Sequence, residues 1–496
     1  MKSLLKLIKT FRQKFKRIFR REPSHRKNDP KKEISSNKGE YKIGLTSIVI
    51  LTYNQLEYTK LCLKSIREYT DEATYEIIVV DNHSTDGTVQ WLQEQEDIKV
   101  ILNDENLGFP KGCNQGIKIA NGDSILLLNN DTIVTRNWLI NLRKCLFSHE
   151  KIGAVGPVTN VCGHYQRIQI PYRTIDEMHI FAEQYNIISN PVKWDESIML
   201  VGFCLLIKRE AVERIGLLDE RFTPGNYEDN DYCFRMKKSG YSLKICKDTF
   251  IHHFGNVSFN EAPSMFADVL IVNREKFRDK WGFAPMYYQH IRLHLLGFIK
   301  DPMEKQLKVL DVGCGLGTTL LELKNRYRNA KIYGIELNKA VGEIAGTHAD
   351  VIIGNIEKIN LNFPGDYFDY IILGDILEHL EKPDEVLIKL KKHLRKEGEM
   401  LISIPNVMHN SVIKDLLYGN WTYKDAGILD RTHLRFFTYR ESIKMFEQAS
   451  LKTVDCVTVR AEGDKEFVKK LVGITDPSYE WEYYTYQYLF KVKKNT

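Results

Sequence analysis

EIIVVDNHSTDGT, residues 76–88, is an apolar run that ends in an acid and breaks at once into a polar turn. A continuously apolar strand is one covered on both faces, as in a parallel sheet flanked by helices. Gly87 allows the tight turn into the next helix, with Asp86 or Ser84 near its start. Working outward, the same unit recurs. SIVILTY (47–53), IKVILN (98–103) and SILLLNND (124–131) are further apolar runs, with helical stretches at 56–69, around 87–95 and at 111–120 between them. Strands alternating with helices predict a parallel α/β sheet. Ligands of such sheets sit beyond the carboxyl ends of the strands. The polar residues cluster there: Thr52, Tyr53 and Asn54 after the first run, Asp81 after the second, and Asn129, Asn130 and Asp131 after the fourth.

The chain has 496 residues, 43% hydrophobic and 27% charged, with 31 Gly and 14 Pro. That length leaves room for two sizeable cores, and the composition excludes extended disorder or a repetitive scaffold. The longest apolar candidate, SIMLVGFCLLI (197–207), is interrupted by Gly202 and too short to span a bilayer, so no integral membrane segment is expected. The net charge of +6 is unevenly placed: residues 1–42 carry 15 Lys and Arg against 4 Asp and Glu, and the rest is mildly acidic. A nucleic-acid-binding body is therefore not expected. Nine scattered cysteines without a Cys-x-x-Cys pair fit reduced thiols and a cytoplasmic setting.

Residues 1–21 read MKSLLKLIKTFRQKFKRIFRR, with nine basic residues and no acid. Leu4, Ile8, Phe11, Phe15 and Ile18 follow helical spacing, leaving most Lys and Arg on the other face. Without the cleavage site and unbroken apolar centre of a signal peptide, the segment is expected to remain on the protein. It is expected to lie as a helix on an anionic membrane surface, a peripheral attachment to the inner face of the cell membrane, with a disordered basic tail or a nucleic-acid patch as the alternatives. Residues 22–42 are polar and aperiodic, as a flexible linker is.

Three clusters in the first folded unit, residues 44–295, carry chemistry. Asp131 leaves a buried strand, where a carboxylate needs a cation or hydrogen-bond donors. One or two carboxylates together with substrate phosphate oxygens are the usual holders of Mg²⁺. NYEDNDYCFR (226–235) is dense in acids and amides, and IHHFGNVS (251–258) supplies His252 and His253 as possible metal ligands.

In order along the chain, SIVILTYN, VVDNHSTDGT, NDENLGFPKGCNQGI (103–117), LLLNNDT, VGFCLLIKREAVERIGLLDERF (201–222) and YEDNDYCFRMKKSGY (227–241) resemble the family-2 inverting nucleotide-sugar glycosyltransferases of GT-A fold, particularly rhamnosyltransferase-like members. The resemblance implies that Asp81 contacts the base or ribose, with Thr52, Tyr53, Asn54, Asn106, Gly108, Asn114 and Asn130 around the nucleotide sugar. It places Asn129 and Asp131 where the family has its metal-binding Asp-x-Asp, with Mg²⁺ or Mn²⁺ as cofactor. His253 or His252 would complete the metal or diphosphate site. Asp229 of the Glu228–Asp229 pair would be the general base. Because the first acidic position of the metal motif is Asn129, only Asp131 offers a charged ligand.

After a connector at 296–306, the second unit (307–496) opens with LKVLDVGCGLGTTLLELK, a strand, a glycine-rich turn and a helix. Thr318 stands where a dinucleotide fingerprint would require glycine. KIYGIELN then ends a strand in Glu336, suited to ribose hydroxyls. With FDYIILGDILEHL (368–380), this resembles the class I S-adenosylmethionine-dependent methyltransferases, a Rossmann-like fold, in the branch with Leu-Glu-His after the fourth strand. The resemblance implies Gly313, Gly315 and Gly317 around the methionine moiety of S-adenosyl-L-methionine, Glu336 on the ribose, Asn355 and Ile356 near the adenine, and Asp311 and Asp375 supporting the methionine end. DRTHLRFFT (430–438) recurs in this branch and would border the acceptor pocket, with His379 and His433 as candidate bases. The aromatic tail EWEYYTYQYLF (480–490) is expected to be a final edge strand, or else a lid.

The function expected from both resemblances is a bifunctional glycan-modifying enzyme. One half would transfer a sugar from a UDP- or dTDP-sugar to a glycan or lipid-linked acceptor with inversion, and the other would methylate a sugar or glycan. The alternatives are a methyltransferase with a catalytically silent glycan-binding module, or a membrane-surface scaffold.

Overall fold

The computed structural model describes residues 44–255 and 263–495; the amphipathic segment and linker expected at 1–43 lie outside the described residues. Two sheets organise the described chain. In the first, strands β1 (Thr46–Thr52), β2 (Tyr75–Asp81), β3 (Ile98–Leu102) and β4 (Ser124–Asn129) run parallel in the order β3-β2-β1-β4, as the sequence predicts. The sheet then becomes mixed. A short β5 (Thr132–Ile133) leaves it, and β6 (Ile152–Val158), β7 (Trp194–Ser197), β8 (Cys204–Lys208) and β9 (Ser242–Phe250) extend it as β4-β8-β6-β9-β7, with β8 antiparallel to both of its neighbours. The run at 124–131 therefore ends as a strand at Asn129, and Asn130–Asp131 form the turn into β5. There β5 pairs antiparallel with β10 (His252–His253) in a separate two-stranded ladder.

Core packing explains the order. Ile48, Ile50, Val79, Leu126 and Leu128 point to one face with Leu63, Ile66 and Trp138, while Val49, Ile78, Ile125 and Leu127 point to the other. Alternate residues of each strand are thus both buried, which is why these runs show no polar alternation.

The second sheet has the order β13-β12-β11-β14-β15-β17-β16, formed by β11 (Lys308–Val312), β12 (Lys331–Glu336), β13 (Asp350–Ile353), β14 (Phe368–Gly374), β15 (Leu394–Pro405), β16 (Leu451–Arg460) and β17 (Thr485–Lys494). The first five positions are parallel, and β17 is antiparallel to both of its neighbours. The aromatic tail is thus neither an edge strand nor a lid. Its first residues form a short helix (Glu480–Tyr484), and β17 inserts between β15 and β16 with Tyr488, Leu489, Phe490 and Val492 buried on both faces. Its alternation of aromatic residues reflects two covered faces, not one face open to water.

The two halves share a packed junction. Leu316, Leu321, Val341 and Ile344 of the second half join the core that holds Phe234, Phe277 and Phe283 of the first. At the sheet edge, Asn325 exchanges two hydrogen bonds of 2.9 Å with the Glu196 backbone of β7. Arg328 reaches Asp195 at 3.0 Å. Leu295, Leu296, Phe298 and Ile299, ahead of β11, are buried against Val309, Leu320 and Leu489, so this stretch of the chain packs onto the second core.

Candidate active sites

The tips of β1 and β2 hold the first cluster. Asp81 is fully buried, and its carboxylate accepts from the Thr52 hydroxyl at 2.9 Å and from the Ser84 amide and hydroxyl at 2.9 and 2.5 Å. The Asn54 amide donates to Ser84 Oγ, and the Thr85 amide to Asn54 Oδ1. Ser84, expected only near the start of the next helix, and Thr85, which gave no signal in the sequence, thus tie the β1 and β2 tips together. Tyr53 is exposed beside them. Asn106 accepts from Asn82 and from the Gly108 amide. Gly108 itself lies against Thr223–Pro224, where an added Cβ would meet backbone at 2.8 Å with φ at +77°. Asn114 is buried, and its side-chain amide is engaged with the Leu218 backbone and Glu220, a tie between the helix Phe109–Ile119 and the distant segment 218–220.

The second cluster forms at the β5–β10 ladder. Antiparallel pairing of His253 with Thr132 brings the His253 ring beside Asp131, with Nε2 3.1 Å from Oδ1. Both residues are buried. His253 Nδ1 lies 2.7 Å from the Val161 carbonyl, which can only accept, so Nδ1 carries a proton and Nε2 of a neutral ring carries the lone pair. That lone pair faces a carboxylate oxygen without hydrogen-bond alignment. Burial pulls the His253 pKa down, but the Asp131 carboxylate and the Val161 carbonyl outweigh it, leaving the pKa raised. Two electron-rich atoms at this distance need a proton or a cation between them, so the donor set fits a divalent metal.

His252 points elsewhere, as alternation along β10 requires. Its Nδ1 is 2.8 Å from the Tyr172 hydroxyl, and burial followed by the neighbouring His253 lowers its pKa to about 4. Asn129 lies at the end of β4, and its amide donates to the Phe203 carbonyl. The Asn130 side chain donates to Thr59.

The third cluster opens the helix Glu228–Lys238. Asn226 and Tyr227 both have φ at +73°, so two successive left-handed residues turn the chain into the helix. Asp229 is half-buried and accepts from the Asn230 amide at 2.8 Å and the Gly202 amide at 3.3 Å. Glu228 is buried with Oε2 unpartnered, and burial, reinforced by Asp229, raises its pKa well above the carboxylate range. Asp231 is bound to Arg235, Lys280 and Trp281 and holds the helix in place. One loop connects the second and third clusters: Gly202 donates to Asp229, while the next residue, Phe203, stacks on His253 with ring centroids 5.2 Å apart. Phe203 gave no functional signal in the sequence, where it reads as one more apolar residue.

In the second half, Gly313, Gly315 and Gly317 are all left-handed. A Cβ on Gly315 would sit 2.9 Å from the Tyr288 carbonyl oxygen, and the Leu316 amide donates to that same oxygen. The Glu336 carboxylate accepts from the Gly315 amide at 2.9 Å and the Asn338 amide at 2.8 Å, which fixes the turn against β12. Asp311 is buried with Oδ1 unpartnered; burial raises its pKa to about 7, with Arg292 opposing and Glu336 adding. Asp375 pairs with Arg292 and is also bound by Ser403 and Gln487. These three partners come from distant sequence and escaped the sequence reading. Asn355 caps the turn after β13 by accepting from the Glu357 amide, and Ile356 is packed into the second core. The rings of His379 and His433 meet edge to face with centroids 4.8 Å apart.

Fold and sites together describe two successive α/β domains, each with its polar cluster at strand tips. Comparison with known proteins gives these domains their families. Residues 47–216 match the family model of glycosyl transferase family 2, and residues 280–455 match a methyltransferase domain model. The chain therefore carries a family 2 glycosyltransferase domain followed by a methyltransferase domain. Glycosyltransferase AglE of Haloferax volcanii is 26% identical over 216 residues, covering 42% of this chain and 66% of that protein. The malonyl-[acyl-carrier protein] O-methyltransferase of Halalkalibacterium halodurans is 30% identical over 111 residues, covering 21% of this chain and 41% of that protein. The chain thus spans less than two thirds of the length of either relative. Among solved structures, mannosyltransferase PcManGT of Pyrobaculum calidifontis in complex with GDP-Man and Mn²⁺ is similar with a TM-score of 0.37 and 18% identity, over 64% of this chain and 77% of that one. No helix among the described residues is long and apolar enough to cross a membrane.

Proposed function

We propose that the chain is a bifunctional glycan-modifying enzyme. Its first domain transfers a sugar from a UDP- or dTDP-sugar to a glycan or lipid-linked acceptor with inversion, and its second methylates a sugar or glycan from S-adenosyl-L-methionine. The observation that carries the first activity is the buried contact of Asp131 Oδ1 with His253 Nε2 at 3.1 Å.

On this reading Asp131 and His253 hold Mg²⁺ or Mn²⁺, and Asn129 stands at the neighbouring position of the motif. The bound cation would supply Lewis acidity to the departing diphosphate. Asp81, Thr52 and Asn54 form the nucleoside end, with Tyr53 exposed beside them. Asp229 takes the proton of the acceptor hydroxyl during attack, a contribution of about 10²–10⁴-fold. Burial and the neighbouring Asp229 disfavour negative charge on Glu228, so the more open Asp229 is the member of the pair proposed to carry it. The N-terminal end of the helix favours that charge.

In the second domain the glycine turn and Glu336 bind the cofactor, which supplies an already activated methyl group. Alignment of the acceptor provides most of the rate. Asp375, fixed by Arg292, Ser403 and Gln487, and the buried Asp311 support the methionine end. Residues 1–21 hold the enzyme at an anionic membrane surface, a proposal resting on sequence alone. Deleting residues 2–21 should release the protein from anionic vesicles, and unchanged binding would refute it.

The deciding experiment screens nucleotide sugars with the purified chain in Mn²⁺ and in chelator, alongside methyl transfer from labelled S-adenosylmethionine to a glycan panel. Metal-dependent sugar release and methyl incorporation support the reading. Binding of both ligands with turnover of neither would replace it by a scaffold.

A further inference from the structure

We propose that Glu378, His379 and His433 form a second divalent-metal site, in the methyltransferase domain, that takes a transition metal such as Zn²⁺. One potential ligand atom from each lies within 4.8 Å of the others. The site is built by two segments far apart in sequence: the turn after β14 and the loop 430–435. They are tied together because the Glu378 carbonyl accepts from the Leu434 amide at 2.8 Å and the Arg435 amide at 3.0 Å.

Both histidines are preset as ligands. His433 Nδ1 lies 2.9 Å from the Ile428 carbonyl, and His379 Nδ1 lies 3.2 Å from the Thr432 carbonyl. A carbonyl can only accept, so Nδ1 is the protonated nitrogen of each ring and Nε2 carries the lone pair. A ligating imidazole fixed by a hydrogen bond at its other nitrogen is the usual arrangement around protein metals. Thr432, which helps to hold His379, is itself anchored by Asp430 through two hydrogen bonds of 2.8 and 2.6 Å.

Glu378 is the independent observation. The residue is 1% exposed, and neither Oε1 nor Oε2 has a hydrogen-bond partner among the described residues. Burying a carboxyl group with both oxygens unpaired is unfavourable unless something compensates it. Two imidazoles and one carboxylate are a donor set that suits zinc, with positions left open for an exogenous oxygen. Zinc bonds of about 2.0–2.1 Å place ligand atoms roughly 3.3 Å apart, so a small contraction of the cluster closes the site. His379, the more open member, marks the side from which an acceptor oxygen would reach the metal. Metal binding does not depend on the methyl-transfer reading; only its use by an acceptor does.

The test uses the full chain carrying Asp131→Ala, which removes the metal site of the first domain, stripped with chelator and dialysed against Zn²⁺. Elemental analysis should find about one zinc per chain. Glu378→Gln and His433→Asn, added separately, should reduce this to under a tenth, and the more exposed His379→Asn should weaken affinity by about 100-fold. Should the buried variants fail to fold, the His379→Asn affinity decides. Zinc bound equally by parent and variants, or by neither, overturns the proposal. Calorimetric titration with S-adenosylmethionine on the same proteins separates the two readings: lost cofactor binding with zinc retained would reject the methyltransferase activity and leave the metal site standing.

Discussion

His253 Nε2 stands 3.1 Å from Asp131 Oδ1, and a ladder of only two residue pairs sets that distance. Strand β10 pairs with β5 in a register that places His253 beside the turn residue Asp131, while the Phe203 ring closes over the imidazole. Changes at either side chain should therefore act on the same step. Asp131→Asn and His253→Ala are each expected to lower sugar transfer by on the order of 100-fold or more. The double variant should be little worse than either single one if both hold the same cation, as proposed. Additive losses in a double-mutant cycle would separate their roles.

Asp229→Asn should abolish sugar transfer while leaving nucleotide binding nearly intact, since Asp229 belongs to a cluster apart from the β1 and β2 tips. The expected loss is about 10²–10⁴-fold in turnover. Nucleotide titration by calorimetry together with steady-state rates checks it, and retained turnover rejects the general-base role.

Gly315→Ala puts a Cβ 2.9 Å from the Tyr288 carbonyl oxygen at a φ of +56°. Neither backbone can yield cheaply. Strain of about 1–3 kcal/mol is expected, together with loss of S-adenosylmethionine binding. Thermal unfolding and cofactor titration measure the two effects, and unchanged cofactor affinity would show that the turn does not cradle the ligand.

Asp311 offers a pH test. Burial, its largest cause, raises the folded pKa to about 7 from an unfolded value near 3.9. Between these values the folded state binds more protons than the unfolded one, so this group's contribution to stability falls as pH rises from about 4 through 7. Asp311→Asn does not titrate and should gain on the native protein across that window by up to about 4 kcal/mol. Denaturant midpoints at pH 5 and pH 8 test the sign. A difference that shrinks with rising pH contradicts it.

The junction between halves should be felt in unfolding. Asn325→Ala with Arg328→Ala removes the paired hydrogen bonds to Glu196 and the contact with Asp195. The double variant is expected to lose about 1–3 kcal/mol and to separate the calorimetric transition into two. A single unshifted transition would show that the apolar contacts alone couple the halves.

Much of this was legible in the primary structure because burial on both faces leaves a local trace. The runs ending at Thr52, Asp81 and Asn129 are strands, and the polar residues that follow them cluster at the tips, as parallel sheets require. The glycine turn was legible for a similar reason: φ values of +72°, +56° and +73° at Gly313, Gly315 and Gly317 are ones that L-residues rarely adopt. The tail at 480–490 was misplaced because alternation reports the faces of a strand and says nothing of its edges.

The chain by itself determined the two domain families, the strand tips and the types of residue offered there. Only tertiary structure decided which of two adjacent histidines meets Asp131, that Arg292, Ser403 and Gln487 converge on Asp375, and that His433 comes to lie beside Glu378 and His379. The physical reason is range. Strand and turn preferences act over a few residues, whereas contacts between side chains tens to more than a hundred positions apart depend on pairing register and core packing, which no local pattern encodes.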